Sequence, residues 1–277
     1  MLVLSLISSF FNAVNSLYAK RIVSEMKDNN SFIVTSFVFI AIILAFALPW
    51  FYMFHASAIS IGLVLLVVSL DTLANVLFFL SMERIEVSTL AVYLALTPMF
   101  TFIPNALLFG FHPLVLVSVL FIIIGVYFLN LKGRNPLSPF IELRKAGNLL
   151  GIGTAIVYGI SMVPTQQLLL HAWINPVTLY FFRSCGIAII TYLLYRPKVW
   201  FPKLHFHLGM RGITVLIQWL CLFTALKYAD GTIVVSLAYT SPLFAIFLAW
   251  IYFKERITVA KLAACCITIA GIIFTIT

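Results

Sequence analysis

Long apolar runs dominate this sequence and restrict the folds that it can adopt. Ten such runs follow one another, centred near Phe11, Ile43, Ser69, Pro98, Ile122, Val157, Gly186, Trp219, Leu243 and Ile267. Crossing about 30 Å of hydrocarbon takes about 20 apolar residues in a helix, and only helices or closed barrels satisfy their backbone polar groups there. These runs are too long and too continuous for barrel strands. The sequence therefore predicts an all-α integral membrane protein with ten transmembrane helices.

Composition supports this class and argues against others. Of the 277 residues, 63% are hydrophobic and 9% charged, with a mean hydropathy of +1.14. The net charge of +9 would suggest a nucleic-acid partner in a soluble protein, but here the basic residues lie almost wholly in predicted loops, so we expect no such partner. All four cysteines fall inside predicted helices, without the paired spacing of a disulfide framework or a zinc site. We expect no metal and no cofactor.

The distribution of positive charge predicts a topology. Fifteen of the 17 Lys and Arg residues are assigned to odd-numbered loops, Lys20, Arg211 and Lys261 among them, and only Lys227 to an even-numbered loop. Positively charged loops stay on the cytoplasmic side. We therefore expect a multi-pass protein of a plasma membrane (the bacterial inner or archaeal cytoplasmic membrane). Its odd loops would be cytoplasmic and both termini outside.

The chain also contains an internal repeat. A basic connection, residues 132–146, divides it into two five-helix halves, residues 1–131 and 147–277, that can be laid on each other. Pro98 and Pro242 lie 144 residues apart within segments that match without a gap. Because five is odd, the second half enters the membrane from the opposite side, which predicts an inverted repeat. In such folds the ligand site lies near the midplane between the halves.

Several motifs resemble one family. The run from Ala229 to Phe274 closely resembles the last two helices of EamA-type members of the drug/metabolite transporter superfamily. NAVNSLYAK resembles the family's aromatic-Gly-x-Asn…Lys pattern through Asn15 and Lys20, and YGISMVPTQ repeats part of it from Tyr158. NPVTLYFFR is similar to a family element that ends in an arginine, here Arg183. The resemblance implies a transporter with cytoplasmic termini, whereas the charge count favours the reverse orientation, which we retain.

Two charged residues at membrane depth are candidates for function. Asp71 lies near the middle of the third run, one helical turn from Asn75, and Arg183 lies about two turns into the seventh. Charges at this depth are costly and usually face a cavity, a partner or a pathway. Asp71 is a candidate proton or coupling-ion site, and Arg183 a candidate to bind a carboxylate or phosphate through two hydrogen bonds. The alternative is that the two residues pair with each other as a structural clasp.

Uncharged polar and aromatic residues at helical spacing complete the predicted substrate site. Large amides and aromatic rings orient and stack a ligand, which selects Asn15, Tyr93, Tyr158, Gln218, Trp219 and Tyr239. Pro98 and Pro242 are expected to bend their helices, which would suit a cavity that opens alternately to each side.

These features predict a secondary transporter for a small polar or amphipathic metabolite. No GxxxxGK loop is present, so direct use of ATP is not expected. A carboxylate on an amphipathic body, as in amino acids, suits Arg183 with amides and aromatics. Nucleotide-like cofactors and drug-like cations are the alternatives, followed by a flippase for a lipid or lipid-linked sugar. HExxH and a nucleophile with a membrane-embedded base are absent, so an enzyme is not expected. Two fused halves make a monomer sufficient, with a dimer as the alternative.

Overall fold

The computed structural model describes residues 1–25, 29–109, 117, 120–121, 124–128, 137–197, 205–229 and 231–274. In these ranges the chain is all α-helical, and its only β feature is an isolated bridge between Phe54 and Ile174. The helices are α1 Leu2–Glu25, α2 Asn29–Phe51, α3 Ala58–Met82, α4 Val87–Leu94, α5 Thr97–Phe109, α6 Ser138–Leu143, α7 Ala146–Leu170, α8 Pro176–Tyr195, α9 His205–Tyr228, α10 Gly231–Ala238, α11 Pro242–Phe253 and α12 Val259–Phe274.

Eight spans in the described part of the chain are long and apolar enough to cross a membrane. Two of them contain a pair of helices each, α4 with α5 and α10 with α11. The apolar part of α12, Val259–Gly271, is shorter. The expected helix near Ile122 lies largely outside the described residues. The chain is a multi-pass membrane protein, and the count of ten helices stays a prediction. The connection between the halves contains α6.

Both two-helix spans are interrupted next to a proline. Helix α4 ends at Leu94 and α5 begins at Thr97, one residue before Pro98; α10 ends at Ala238 and α11 begins at Pro242 itself. Proline has no N–H to donate to the preceding turn, and its ring collides with the carbonyl there, so a helix starts readily at this residue and is destabilised by continuing through it. The two interruptions lie 144 residues apart, at matching places in the two halves.

The main helix contacts join the two halves. Helix α1 packs along α9, α2 along α8, and α3 along α7. In the repeat, α1, α2 and α3 of the first half correspond to α7, α8 and α9 of the second. Exchanging each helix for its counterpart turns the α1–α9 contact into the α7–α3 contact and leaves the α2–α8 contact unchanged. The same exchange turns the contacts of α1 with α10 and α11 into the contacts of α7 with α4 and α5. Each half therefore buries its apolar faces against the other.

Five basic residues that the charge count assigned to loops lie inside helices, namely Lys20, Arg21, Arg211, Lys227 and Lys261. Lys20 is in α1, where its Nζ donates to the Ile85 carbonyl oxygen at 2.9 Å. Arg211 lies in α9 and Lys261 in α12, and their side chains are only 2% and 9% exposed. The assignment to loops was wrong because a helix continues as long as its backbone hydrogen bonds do. The charge count had ended each helix where the sequence becomes less hydrophobic. Long cationic side chains remain in a helix when their charged ends have partners or a polar space.

Candidate functional site

A small cavity lies where the two halves meet. It has a volume of about 20 Å³, which is room for about one water molecule. Helices α1, α3, α7 and α9 contribute most of its wall, and Leu94 and Tyr239 reach it from the two interrupted spans. The lining residues are Asn12, Asn15, Phe37, Asn75, Phe78, Leu94, Tyr158, Arg211, Val215, Gln218, Trp219 and Tyr239. Seven of these twelve side chains are polar or charged if both tyrosines are counted, an unusual density for the interior of a membrane protein.

Amide side chains connect the cavity wall across the two halves. Asn15 Nδ2 donates to Gln218 Oε1 at 3.3 Å, and Asn12 Nδ2 donates to Ser241 Oγ at 3.2 Å. Asn15 Oδ1 is buried and has no hydrogen-bond partner among the described residues. The wall thus holds one amide oxygen that is free to accept a hydrogen bond.

Aromatic rings form the opposite part of the wall. The Tyr158 and Trp219 ring centroids lie 5.7 Å apart, and Trp219 stacks on Tyr180 at 6.4 Å with an angle of 24° between the rings. Tyr158 and Tyr239 also line the cavity. Asn15, Asn75, Tyr158, Gln218, Trp219 and Tyr239, all selected from the sequence, therefore converge on this one space.

Asp71 and Arg183 form a buried ion pair next to this cavity. Arg183 Nε contacts Asp71 Oδ2, and Ser161 Oγ donates to Asp71 Oδ1 at 2.6 Å. The two side chains are 0% and 1% exposed. The Arg183 guanidinium carbon also lies 3.5 Å from the centroid of the Trp219 ring, which provides a cation–π contact. In this conformation the pair has the geometry of a clasp, and Trp219 covers it on the cavity side.

Tyr93 lies elsewhere. Its side chain is fully buried in a separate cluster with Val92, Ala155 and Ala264, and it does not reach the cavity. In α4 the cavity is lined by Leu94, the next residue, which points about 100° further round the helix than Tyr93.

Arg211 is the cavity residue that the sequence reasoning missed. It was assigned to a loop, but it lies in α9 on the same face as Val215, Gln218 and Trp219. The spacing of four, seven and eight residues is the spacing of one helix face. That spacing was the signal in the sequence that Arg211 belongs with the amide and the indole.

A layer of polar contacts lies on each side of the cavity. On the odd-loop side, Glu255 Oε1 accepts from the Val87 N–H at 3.2 Å and Oε2 accepts from Ser88 Oγ at 2.5 Å. Lys261 pairs there with Glu86, and its Nζ lies 3.8 Å from Glu255 Oε2. This charged layer joins the start of α4 in the first half to the α11–α12 connection in the second.

On the even-loop side the layer is neutral. Asn105 Nδ2 lies 3.4 Å from Gln166 Oε1 and 3.3 Å from Thr232 Oγ1. These contacts join α5 in the first half to α7 and α10 in the second. The cavity therefore lies between a charged layer and an uncharged one.

Loss of the Glu255 carboxylate should loosen the charged layer locally. In Glu255→Ala, the first amides of α4 lose a side-chain acceptor, and such helix-terminal bonds contribute about 1 kcal/mol, or about a fivefold change in an opening equilibrium. We expect about fivefold faster amide exchange in residues 86–94 by hydrogen–deuterium exchange mass spectrometry. Arg256→Ala, at an exposed neighbour, is the matched control and should leave that rate unchanged. Equal rates in wild type and Glu255→Ala would show that the contact does not hold α4.

Comparisons with known proteins agree with this architecture. The fold superposes on that of a crystal structure described only as that of a protein, with a TM-score of 0.70 and 14% identity over 99% of this chain and 96% of the other. That likeness concerns the fold alone. No curated protein matches the chain. Residues 145–277 match the EamA-like transporter family, the family that the sequence motifs indicated.

Proposed function

We propose that this protein is a secondary transporter that moves a small polar or amphipathic metabolite by alternating access, with amino-acid-like compounds as the favoured substrates. The observation that carries the proposal is the central cavity. It is lined by amides, aromatic rings and a cation from both halves, and it lies at the interruptions of two membrane spans. Interrupted helices at a midplane site between repeats are a recurrent arrangement in secondary transporters. The matching EamA-like transporter family supports the same class.

The packing of the helices supports an inverted repeat as the basis of alternating access. Contacts between the halves occur in pairs related by exchanging the halves, as α1–α9 with α3–α7. A fold with such a relation has two conformations of similar construction, one open to each side. We propose that the charged layer around Glu255 and the neutral layer around Gln166 open in turn. The volume of the cavity, about 20 Å³, then corresponds to a closed intermediate that must widen to hold a substrate.

Ligand binding to the purified protein tests this proposal. A ligand that binds only the folded state raises the melting temperature with concentration. We expect a shift from at least one compound in a detergent-solubilised panel of amino acids, nucleosides, sugar phosphates and quaternary amines. Gln218→Ala removes a cavity amide and should weaken the binding of that compound about tenfold. This factor corresponds to the roughly 1.5 kcal/mol of a buried hydrogen bond. Gln167→Ala, which removes an amide outside the cavity wall, is the matched control.

A lateral groove favours a flippase as the second candidate. It has a volume of about 680 Å³ between α1, α11 and the start of α9, and its lining includes the partly exposed Phe10 and Tyr252, the apolar Leu17 and the basic Arg21. Apolar walls with a cation at one end suit an acyl chain and an anionic headgroup. If phosphatidylglycerol raises the melting temperature and no soluble compound of the panel does so, the flippase replaces the metabolite transporter.

A further inference from the structure

Arg211 is a buried cation with nothing in the described structure to neutralise it. Its side chain is 2% exposed and lines the central cavity. Nε and Nη1 have no hydrogen-bond partner among the described residues. The guanidinium carbon lies 5.1 Å from the ring centroids of both Phe32 and Phe79. Aromatic faces attract a cation but accept no ordinary hydrogen bond, so the N–H groups of these two nitrogens remain unused.

The other buried arginine differs in having a counter-ion, although its Nη1 likewise has no hydrogen-bond partner among the described residues. The charge of Arg183 is balanced by Asp71, and the face of Trp219 covers its guanidinium. Asp71 in turn is occupied by Arg183 and Ser161. The Asp71–Arg183 pair is therefore neutral, and within the described part of the chain Arg211 leaves one uncompensated positive charge at the cavity. An unpaired buried charge is strongly unfavourable unless a ligand or a second charge compensates it.

The cavity also provides a complementary acceptor. Asn15 Oδ1 is buried without a partner, while Nδ2 of the same amide is held by Gln218. One wall of the site thus offers two donor nitrogens on a cation, and another offers a neutral oxygen. A carboxylate fits the first because it accepts charge-assisted hydrogen bonds from a guanidinium, and an ammonium fits the second. The rings of Tyr158 and Tyr239 provide an apolar surface for the rest of the ligand.

We propose that Arg211 binds the carboxylate of the substrate and that Asn15 Oδ1 accepts from its amino group, so that the cavity recognises an α-amino acid with an apolar side chain. This assignment rests on the proposed function and replaces Arg183 as the anion-binding residue. Among the described residues Arg211 has no counter-ion, and a ligand carboxylate that enters the cavity would supply one. The arginine thereby selects against uncharged analogues of the same shape.

Four compounds of similar shape separate the two contacts. L-phenylalanine has both groups, 3-phenylpropanoate lacks the amine, L-phenylalaninamide lacks the carboxylate, and 2-phenylethanol lacks both. Binding to the full-length protein in detergent is measured by thermal unfolding over a concentration series. We expect the two carboxylates to bind wild type and the other two compounds to bind at least about tenfold more weakly, since an unmatched buried donor is costly.

Variants assign each contact to its residue. Arg211→Gln should weaken the binding of both carboxylates about 10- to 100-fold, which is the effect of losing a charge-assisted hydrogen-bonded pair. Arg211→Lys should bind the carboxylates more weakly than wild type and more tightly than Arg211→Gln, because lysine keeps the charge without the planar guanidinium. Asn15→Ala should weaken the binding of L-phenylalanine and leave the binding of 3-phenylpropanoate unchanged. Arg144→Gln, at an exposed position, is the control. Without ligand, Arg211→Gln should melt no lower than wild type, since it removes an unpaired buried charge.

The possible failures are distinguishable. If Arg211→Gln binds 3-phenylpropanoate as wild type does, the role of Arg211 is overturned while the transporter proposal stands. If all four compounds leave wild type unchanged but a nucleoside, sugar phosphate or quaternary amine shifts its melting temperature, the amino-acid assignment is overturned and a transporter of another substrate class remains. If no soluble compound binds, both proposals fail together.

Discussion

Replacing Arg183 by glutamine should lower the free energy of unfolding by about 3–5 kcal/mol, because it leaves the carboxylate of Asp71 buried without its counter-ion. The side chain of Asp71 is 0% exposed, and its remaining partner is the hydroxyl of Ser161 at 2.6 Å. The loss also removes the cation from the face of Trp219, where the guanidinium carbon lies 3.5 Å from the ring centroid. A desolvated contact of this kind contributes about 2 kcal/mol.

A double-mutant cycle separates the ion pair from the individual residues. Asp71→Asn combined with Arg183→Gln has no uncompensated charge, so the double variant should recover most of the stability that Arg183→Gln loses. The measurement is equilibrium unfolding in mixed micelles. Arg144→Gln, on the exposed surface, should stay within about 0.5 kcal/mol of wild type. Additive losses in the two single variants would mean that the residues do not act as a pair.

Gly159→Val should be the second most damaging substitution, because α7 approaches the beginning of α5 too closely for a side chain. A Cβ at Gly159 would lie 2.5 Å from Phe100 Cβ and 2.8 Å from the Thr97 carbonyl oxygen. One of these neighbours is backbone, and it can yield only if α5 moves as a whole. Overpacking of this kind costs about 1–3 kcal/mol, and we expect the β-branched valine at the upper end of that range.

The matched control for this substitution is Gly62→Ala in α3. A Cβ at Gly62 would have nothing within 4 Å, so the added methyl group costs no packing and raises helix propensity by about 1 kcal/mol. The melting temperatures of the two variants should therefore move in opposite directions. A Gly159→Val protein that is as stable as wild type would mean that the α5–α7 contact is looser than the structure has it.

The sequence was most informative where residue type and position act locally. Apolar length alone gave the membrane spans, because any backbone that crosses hydrocarbon must satisfy its own hydrogen bonds. Prolines marked the interruptions near Pro98 and Pro242 because their missing N–H acts within one turn. Residue type selected Gln218 and Trp219, and the helical spacing of Arg211 from them would have placed it on the same face.

What could not be derived from the sequence depends on contacts between distant segments. Nothing local indicates whether Asp71 and Arg183 pair or face a cavity, since both arrangements compensate a charge at membrane depth. The residues are 112 positions apart, and only the packing of α3 against α8 brings them together. Tyr93 shows the complementary limit. It lies in the same helix as Leu94, which lines the cavity, but the packing of α4 turns the Tyr93 side chain into a separate cluster.

Solute counterflow in proteoliposomes tests the central claim most directly. Vesicles are preloaded with unlabelled L-phenylalanine, and external radiolabelled L-phenylalanine is followed over time. We predict transient accumulation of label by the wild-type protein and by Gln167→Ala, and its loss in Arg211→Gln and Gln218→Ala. Wild-type vesicles that accumulate no more label than empty ones, or cavity variants that accumulate as much as wild type, would contradict transport of an amino acid through the central cavity.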